Sequence, residues 1–344
     1  MKQSETGELI FDSFDESSLY FAKLLMNSRH VHSTNSLNAN TYKSDIVELR
    51  NVSYSIPAGK VLSDNPYHQP TPFWAISESL SEILNLTRPI MERYSPDIMD
   101  SSYYIFADRQ PIYSYGERLH MFNQIMNVFN KLNDNLQSKR AYLSVYQGFD
   151  TDISRKDVPC TIGWNLSARN DRLSISTHLR SWDFFAGNIY DTFLANILLQ
   201  SFTSWLSKSR QTSITSGRLH FYADSLHYYP GTSQQKLEQM IKFGETNFYD
   251  NLQSFTFNVD VIQYYKDMYH LSDAEQASYN GNFDYSLNKL RKITDCVIQD
   301  FARMYIIKNA RKNKDNSLVS RMEHEIEAPD LRKWFVQRNK IKEL

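Results

Sequence analysis

Residues 158–191 read VPCTIGWNLSARNDRLSISTHLRSWDFFAGNIYD, and this stretch decides both the fold class and the candidate chemistry. From Arg172 to Arg180 apolar and polar residues alternate, which is the period of a half-buried β-strand. The turn at 169–171 predicts a β-hairpin with a preceding strand at 161–167. Residues 184–208 then follow the 3.6-residue period of an amphipathic helix. The stretch therefore predicts a hairpin that leads into a long helix.

Chemically reactive side chains are concentrated in the same stretch. A nucleophilic cysteine needs a nearby cation to stabilise its thiolate, and Arg180 follows Cys160 across the hairpin, so the two could meet at neighbouring strand ends. Residue types alone leave two interpretations open. Cys160 is either a structural cysteine, with Asp183 and Asp191 as helix caps or solvated charges, or the nucleophile of a nucleotide site.

The composition is that of an ordinary globular protein. The chain has 344 residues, 41% of them hydrophobic, and a net charge of −1. This near-neutral balance gives no electrostatic reason to expect a nucleic acid polymer as partner. The start of the chain does not resemble a signal peptide, and no apolar run reaches transmembrane length, so we expect a cytoplasmic protein without a membrane partner. Cys296, in a helical pattern, is predicted to be a small buried hydrophobe.

Hydrophobic periodicity and turn residues predict the other elements. The predicted helices lie at 17–28, 73–86, 113–135, 235–245, 283–310 and 316–340. The remaining predicted strands lie at 47–56, 141–146 and 217–229. We therefore predict an α+β fold in which a mainly antiparallel or mixed sheet is covered by helices, with a helical C-terminal extension. The predicted division is an N-terminal helix and polar loop (1–45), a catalytic core (46–235) and a helical region packed on it (236–344).

Three motifs follow one another in the chain: Pro159-Cys160, then Arg180-Ser181-x-Asp183, then Gly187-x-x-Tyr190-Asp191. They resemble the core signature of the thymidylate synthase family, closest to its deoxycytidylate and cytidylate 5-hydroxymethylases. Tyr115-Gly116, Ser138-Lys139-Arg140 and His227-x-Tyr229 agree with further motifs, and Glu78 stands where the family has its catalytic glutamate. The resemblance covers roughly residues 45 to 235, and it implies a thymidylate synthase-like fold and a homodimer.

The resemblance implies a role for each matching residue. Cys160 would add to C6 of a pyrimidine nucleoside monophosphate, and 5,10-methylenetetrahydrofolate would supply a one-carbon unit to C5. Glu78, with Tyr115 nearby, would organise water and proton transfer. The other implied roles are as follows: Arg180 and Ser181 hold the 5′-phosphate, Lys139 and Arg140 reach the phosphate of the neighbouring subunit, His227 and Tyr229 bind the sugar hydroxyl, and Asp183 lies beside the base. Arg29 and Arg50 are both candidates for the N-terminal phosphate-loop arginine, and no metal site is implied.

Asp191 is the departure that indicates the substrate. Thymidylate synthases have an asparagine here, whose amide matches O4 and N3–H of uracil. A carboxylate accepts from the N4 amino group of cytosine, and from N3 when that nitrogen is protonated. The same change marks the family's cytidylate-type hydroxymethylases, so we predict dCMP or CMP as substrate, with Ser181 favouring the deoxynucleotide.

A second departure favours hydration over reduction of the transferred carbon. Residues 94–112 contain no tryptophan, whereas the family's synthases use one in this segment to shield the folate and the methylene intermediate. The synthases' short C-terminal closing tail is replaced by a helical extension. The alternatives are a uridylate hydroxymethylase, a C5 methylase, or a nucleotide-binding module without turnover.

Overall fold

A computed structural model of the protein describes residues 2–5, 7–33, 45–85, 93–94, 115–152, 158–247 and 255–341. Its strands are β1 (Lys2–Gln3), β2 (Leu9–Ile10), β3 (Val31–Ser33), β4 (Asp45–Pro57), β5 (Tyr142–Ser144), β6 (Thr161–Arg169), β7 (Arg172–Leu179), β8 (Trp182–Asp183) and β9 (Thr215–Tyr228). Its helices are α1 (Phe14–Asn27), α2 (Pro72–Leu84), α3 (Tyr115–His120), α4 (Gln124–Asp134), α5 (Gly187–Arg210), α6 (Pro230–Thr246), α7 (Val261–Tyr279), α8 (Phe283–Leu290), α9 (Cys296–Lys312), α10 (Asn316–Glu325) and α11 (Pro329–Ile341).

The strands form one mixed sheet in the order β1-β2-β4-β9-β7-β6-β5, with β3 on β4 and β8 on β9. The hairpin β6–β7 is antiparallel, as predicted, and its turn residues Asn170 and Asp171 have φ of 51° and 55°. Positive φ at both positions is the requirement of a type I′ turn, which short polar residues tolerate. Strand β9 runs parallel to β7 and antiparallel to β4. The predicted α+β class with a helix-covered sheet is confirmed.

Helix α5 lies between the sheet and the C-terminal helices. Every residue from Thr192 to Leu206 on it is buried, so the helix is covered on all sides. On one flank Phe193 packs against Trp334 of α11, with ring centroids 5.6 Å apart. On another, Trp205 packs edge-on against Tyr264 of α7 at 5.1 Å. The C-terminal helices therefore pack directly on the core that carries the hairpin.

The two faces of the sheet differ in character. Leu173, Ile175 and Leu179 of β7 are buried toward α5, as their alternation predicts. The opposite face carries a row of partly exposed rings, in which His178 stacks on Tyr222 at 5.1 Å. None of the helices in the described ranges combines the length and apolar character needed to cross a bilayer.

Three predicted helices differ from the structure. Residues 113–135 do not form one helix, because Phe122 and Asn123 have φ of 59° and 52° and separate α3 from α4. The stretch 283–310 is broken before Asp295, whose side chain caps the new helix α9. The stretch 316–340 is broken before Pro329, which begins α11. Helix α7 was not predicted.

The prediction that Cys296 is buried was wrong. The side chain is exposed. Cys296 is the first residue of α9, immediately after the capping residue Asp295. The apolar face of the helix begins at the next residue, Val297. An apolar period identifies the buried side of a helix but does not determine which residues of its first turn reach that side.

Candidate active site

Cys160 lies where β6 begins and β7 ends. The backbone N–H of Arg180 donates to the carbonyl of Cys160 at 2.9 Å, so the thiol and the arginine sit at neighbouring strand ends, as predicted from the hairpin. The side chain of Cys160 is partly exposed and forms no disulfide. The register shifts between Thr161 and Gly163, and this irregularity sets the direction of the chain just after the cysteine.

Arg180 holds the segment that carries the cysteine. Its Nε donates to the carbonyl of Pro159 at 2.8 Å, and its Nη2 donates to the carbonyl of Val158 at 2.6 Å. These bonds fix the Pro159-Cys160 dipeptide and place a permanent positive charge beside it. A cation at this position favours the thiolate over the thiol.

Tyr115 connects the cysteine to Asp191. Its hydroxyl accepts a hydrogen bond from the backbone N–H of Thr161, the residue after Cys160, at 3.3 Å. Burial first, and then the negative charges of Asp191 and Cys160, raise the pKa of Tyr115 well above its ordinary value. Tyr115 is therefore a neutral phenol that interacts electrostatically with both the cysteine and the carboxyl group of Asp191.

Three carboxyl groups from two helices meet beside this phenol. Glu78 and Glu82 are one turn apart on α2, and Asp191 is in the second turn of α5. Burial, followed by the charge of Asp191, raises the pKa of Glu78 to about 8. Burial and then the charges of Glu78 and Asp191 raise the pKa of Glu82 well above its ordinary value. Desolvated carboxyl groups whose charges repel one another cannot all ionise, so this cluster carries protons at neutral pH.

Asp191 is held by a tryptophan. The indole Nε1 of Trp182 donates to Asp191 Oδ2 at 3.0 Å. Burial raises the pKa of Asp191 to about 7, and the bond from Trp182 opposes that rise. A side chain at Gly187 would come within 3.1 Å of both Asp191 Oδ2 and Trp182 Cδ1, so the glycine makes room for the pair.

His227, Tyr229 and Asp183 form the other side of the site. The rings of His227 and Tyr229 meet edge to face at 5.5 Å. Asp183 accepts hydrogen bonds from the backbone N–H groups of Phe185 (2.7 Å) and Ala186 (3.1 Å). Burial and then the charges of Asp183 and Cys160 raise the pKa of Tyr229. Burial also lowers the pKa of His227, so its ring is neutral near neutral pH.

The predicted phosphate-binding residues are only partly brought together. Ser181 follows Arg180 and is partly buried. Lys139 and Arg140 are exposed and precede β5. Because Tyr142 of β5 pairs with Asn165, they lie beside the far end of β6, roughly 20 Å from Cys160.

Two parts of the predicted site fall wholly or partly outside the described residues. Arg29 and Arg50 are exposed, near one end of β3 and on β4, respectively. The segment between them includes residues 34–44, which lie outside the described ranges. Residues 95–112 of the segment without tryptophan lie outside them too. The assignment of a phosphate-loop arginine to Arg29 or Arg50 stays a prediction.

Two residues of the site had no assigned role in the sequence analysis. Trp182 stands at the unspecified position of the Arg180-Ser181-x-Asp183 motif, so the motif gave no reason to single it out. Glu82 is four residues after Glu78, and that spacing puts both carboxyl groups on one face of a helix. The spacing was therefore the available signal for Glu82, whereas the contact of Trp182 depends on β8 meeting α5.

Comparison with known proteins identifies the class. Residues 94–273 match the family described as thymidylate synthase, which is just over half of the chain. The chain therefore belongs to the thymidylate synthase family, as its motifs predicted. The matched range includes Tyr115, Cys160, Asp191 and His227 but begins after Glu78.

A relative indicates the branch. The chain is 25% identical over 207 residues to the deoxyuridylate hydroxymethyltransferase of Bacillus phage SP01. The similarity covers 54% of this chain and 50% of that protein, so the chain spans about half the length of the curated relative it matches. This match supports membership of the family and a similarity to its hydroxymethylase branch.

Proposed function

We propose that this protein is a one-carbon transferase, a pyrimidine nucleoside monophosphate 5-hydroxymethylase that acts on dCMP or CMP with 5,10-methylenetetrahydrofolate as donor. The observation that carries the proposal is the grouping of Cys160, Tyr115 and Asp191, in which the phenol accepts from the residue after the cysteine and feels the charge of the aspartate. A nucleophile and a base-reading carboxyl group that both act on one phenol form a site suited to a pyrimidine ring.

Asp191 is the argument for a cytosine base. A neutral amide at this position would donate to O4 and accept from N3–H of uracil. A carboxylate offers only acceptors, so it pairs with the N4 amino group of cytosine and with N3 once that nitrogen is protonated. Protonation at N3 makes C6 more electrophilic, which favours attack by Cys160.

Cys160 begins the reaction by forming a bond from its sulfur to C6, so that C5 becomes nucleophilic. Bound methylenetetrahydrofolate supplies the one-carbon unit that C5 accepts. Glu78, whose pKa is raised to about 8, holds a proton at neutral pH and exchanges it with water in the site. C5 then loses its proton to a base in the site, and tetrahydrofolate leaves the transferred carbon. Water adds to that carbon to give the hydroxyl group of the product, and the bond from sulfur to C6 breaks, which restores the C5–C6 double bond and releases Cys160.

Aromatic and acidic groups beside Asp191 fit the folate. Tyr190, the residue before Asp191, meets Trp74 edge to face at 6.2 Å, and Asp183 precedes the start of α5 in the chain. Aromatic faces stack on a flat heterocycle, and a carboxylate accepts from its amino and ring N–H groups. Tyr190, which is only partly buried, and Asp183 are the residues that would hold the folate ring, and the buried Trp74 supports Tyr190 from behind.

A homodimer completes the phosphate site in this proposal. Arg180 and Ser181 bind the phosphate from the same subunit, and His227 and Tyr229 bind the sugar hydroxyl. Lys139 and Arg140 are too far from Cys160 of their own subunit, roughly 20 Å along β6. They are exposed beside the sheet face that carries the stacked rings of His178 and Tyr222, the face we assign to the dimer interface.

A uridylate hydroxymethylase is the second candidate, because the viral relative is named for deoxyuridylate. A neutral Asp191 side chain can donate to O4 of uracil and accept from N3–H, as an amide does. A C5 methylase and a binding module without turnover are the remaining alternatives.

Product analysis separates these possibilities. The protein is incubated with methylenetetrahydrofolate and, separately, with CMP, dCMP, UMP and dUMP, and the products are detected by mass spectrometry. We expect one hydroxymethyl group on a cytosine nucleotide. A methyl group indicates the methylase, product from a uracil nucleotide indicates the second candidate, and binding without product indicates the module. Cys160→Ser abolishes product if the mechanism is right, whereas Cys296→Ser, which alters an exposed cysteine on α9, leaves it unchanged.

A further inference from the structure

The contact between Trp182 and Asp191 constrains which carboxylate oxygen reads the substrate. The indole N–H is a donor only, so Asp191 Oδ2, which receives it at 3.0 Å, is held as an acceptor. A proton bound to Asp191 therefore resides on Oδ1. The ionised side chain presents Oδ1 as an acceptor, and the neutral side chain presents it as a donor.

The tryptophan is rigidly placed to do this. Trp182 is fully buried, and its ring stacks on Phe221 at 5.1 Å and on Tyr54 at 6.0 Å. Gly187, one helical turn before Asp191, leaves no spare space, since an added Cβ would lie 3.1 Å from each member of the pair. The carboxyl group is therefore confined from the side of β8 and from the first turn of α5.

We infer that Trp182 is a positioning residue that determines base specificity, because its indole N–H fixes Oδ2 of Asp191 and leaves Oδ1 to read the base. This inference rests on the proposed function and adds the residue that sets the orientation of Asp191. Without the N–H, the carboxyl group can turn and present either oxygen, protonated or not, so cytosine and uracil become harder to distinguish.

The hydrogen bond from Trp182 matters for the pKa of Asp191 because of the groups that surround this carboxyl group. Glu78 and Glu82 on α2 and Tyr115 on α3 each interact electrostatically with Asp191. All three are acids, so none of them supplies a positive charge that would stabilise the ionised form of Asp191. The bond from Trp182 is the interaction that lowers the pKa of Asp191 against the rise caused by burial. Loss of the bond raises this pKa further.

Trp182→Phe tests the inference, because phenylalanine keeps a stacked ring and removes the donor. We expect kcat/KM for the preferred cytosine nucleotide to fall about tenfold, the order of one hydrogen bond to a charged group, with a smaller change for the uracil nucleotide. We also expect the titration of Asp191, followed by carbon NMR of the carboxyl group, to move to higher pH. Trp205→Phe is the matched control, since its Nε1 has no hydrogen-bond partner in the described part of the chain.

A double-mutant cycle distinguishes positioning from packing. In the Asp191→Ala background, which leaves the indole no side-chain acceptor, the effect of Trp182→Phe on the relative affinity for cytosine and uracil nucleotides becomes much smaller if the indole acts through the carboxyl group, whereas a packing effect is additive. An unchanged base preference and an unchanged Asp191 titration in Trp182→Phe overturn the inference. If wild-type protein converts no pyrimidine nucleotide, the proposed function fails, and the NMR titration still tests the contact itself.

Discussion

Replacing Asp191 with asparagine should flatten the dependence of stability on pH. Burial raises the pKa of Asp191 from 3.8 to about 7 in the folded protein. An acid whose pKa is raised by folding is protonated in the native state while the unfolded chain has already released its proton. Stability is therefore full below the unfolded pKa and is lost as pH rises toward the folded pKa.

The magnitude follows from the size of the shift. Roughly three pKa units correspond to about 4 kcal/mol, and about 3 kcal/mol of this is lost between about pH 5 and about pH 8.5. The amide introduced by Asp191→Asn has no such titration but can still accept from the Trp182 N–H. Removing the charge also lowers the pKa of Glu78, which Asp191 raises, so the second carboxyl group changes stability in the same direction.

Urea unfolding at the two pH values measures the difference. We expect the wild-type protein to lose roughly 3 kcal/mol more than Asp191→Asn on going to the higher pH. Asp224→Asn, which neutralises an exposed carboxylate on β9, serves as the control and should follow the wild type. Parallel pH profiles for wild type and Asp191→Asn would refute the argument that this carboxyl group is desolvated.

The same substitution tests the choice of base. Kinetics with cytosine and uracil nucleotides should show kcat/KM falling for the first and rising for the second, by about tenfold or more for the loss of a charged hydrogen bond. Unchanged preference would count against Asp191 as the group that reads the base.

Three further predictions address the nucleophile, the subunit arrangement and the C-terminal helices. Cys160→Ser should lose turnover and keep nucleotide affinity in isothermal titration calorimetry, since the thiol makes the covalent bond and other groups bind the phosphate; loss of both would point to a structural cysteine. Two inactive variants, Cys160→Ser and Arg140→Ala, should regain roughly a quarter of wild-type activity when they are unfolded and refolded together. Half of the dimers are then mixed, and one of the two sites in each mixed dimer is intact. No recovery would mean that Arg140 acts within its own subunit or not at all. Trp334→Ala should lower the free energy of unfolding by about 3–5 kcal/mol in chemical denaturation, because the ring is fully buried and its N–H donates to the carbonyl of Pro70 at 3.2 Å. A decrease below about 1 kcal/mol would show that this tryptophan does not anchor α11.

Local sequence determined much of this protein. Alternation from Arg172 to Leu179 and the turn at Asn170 and Asp171 specify the hairpin, because side-chain period and positive-φ residues act within a few residues. That hairpin is enough to place Arg180 beside Cys160. The spaced motifs also identified the family, since each combines a residue type with a fixed distance along the chain.

Tertiary structure decided what local patterns do not encode. The bond from Trp182 to Asp191 exists only because β8 pairs with β9 beneath the first turns of α5. The carboxyl cluster of Glu78, Glu82 and Asp191 forms where two helices distant in sequence meet, and its raised pKa values come from the removal of water at that meeting point. Residue order specified which groups are present, but desolvation and contact between distant segments set their protonation and orientation.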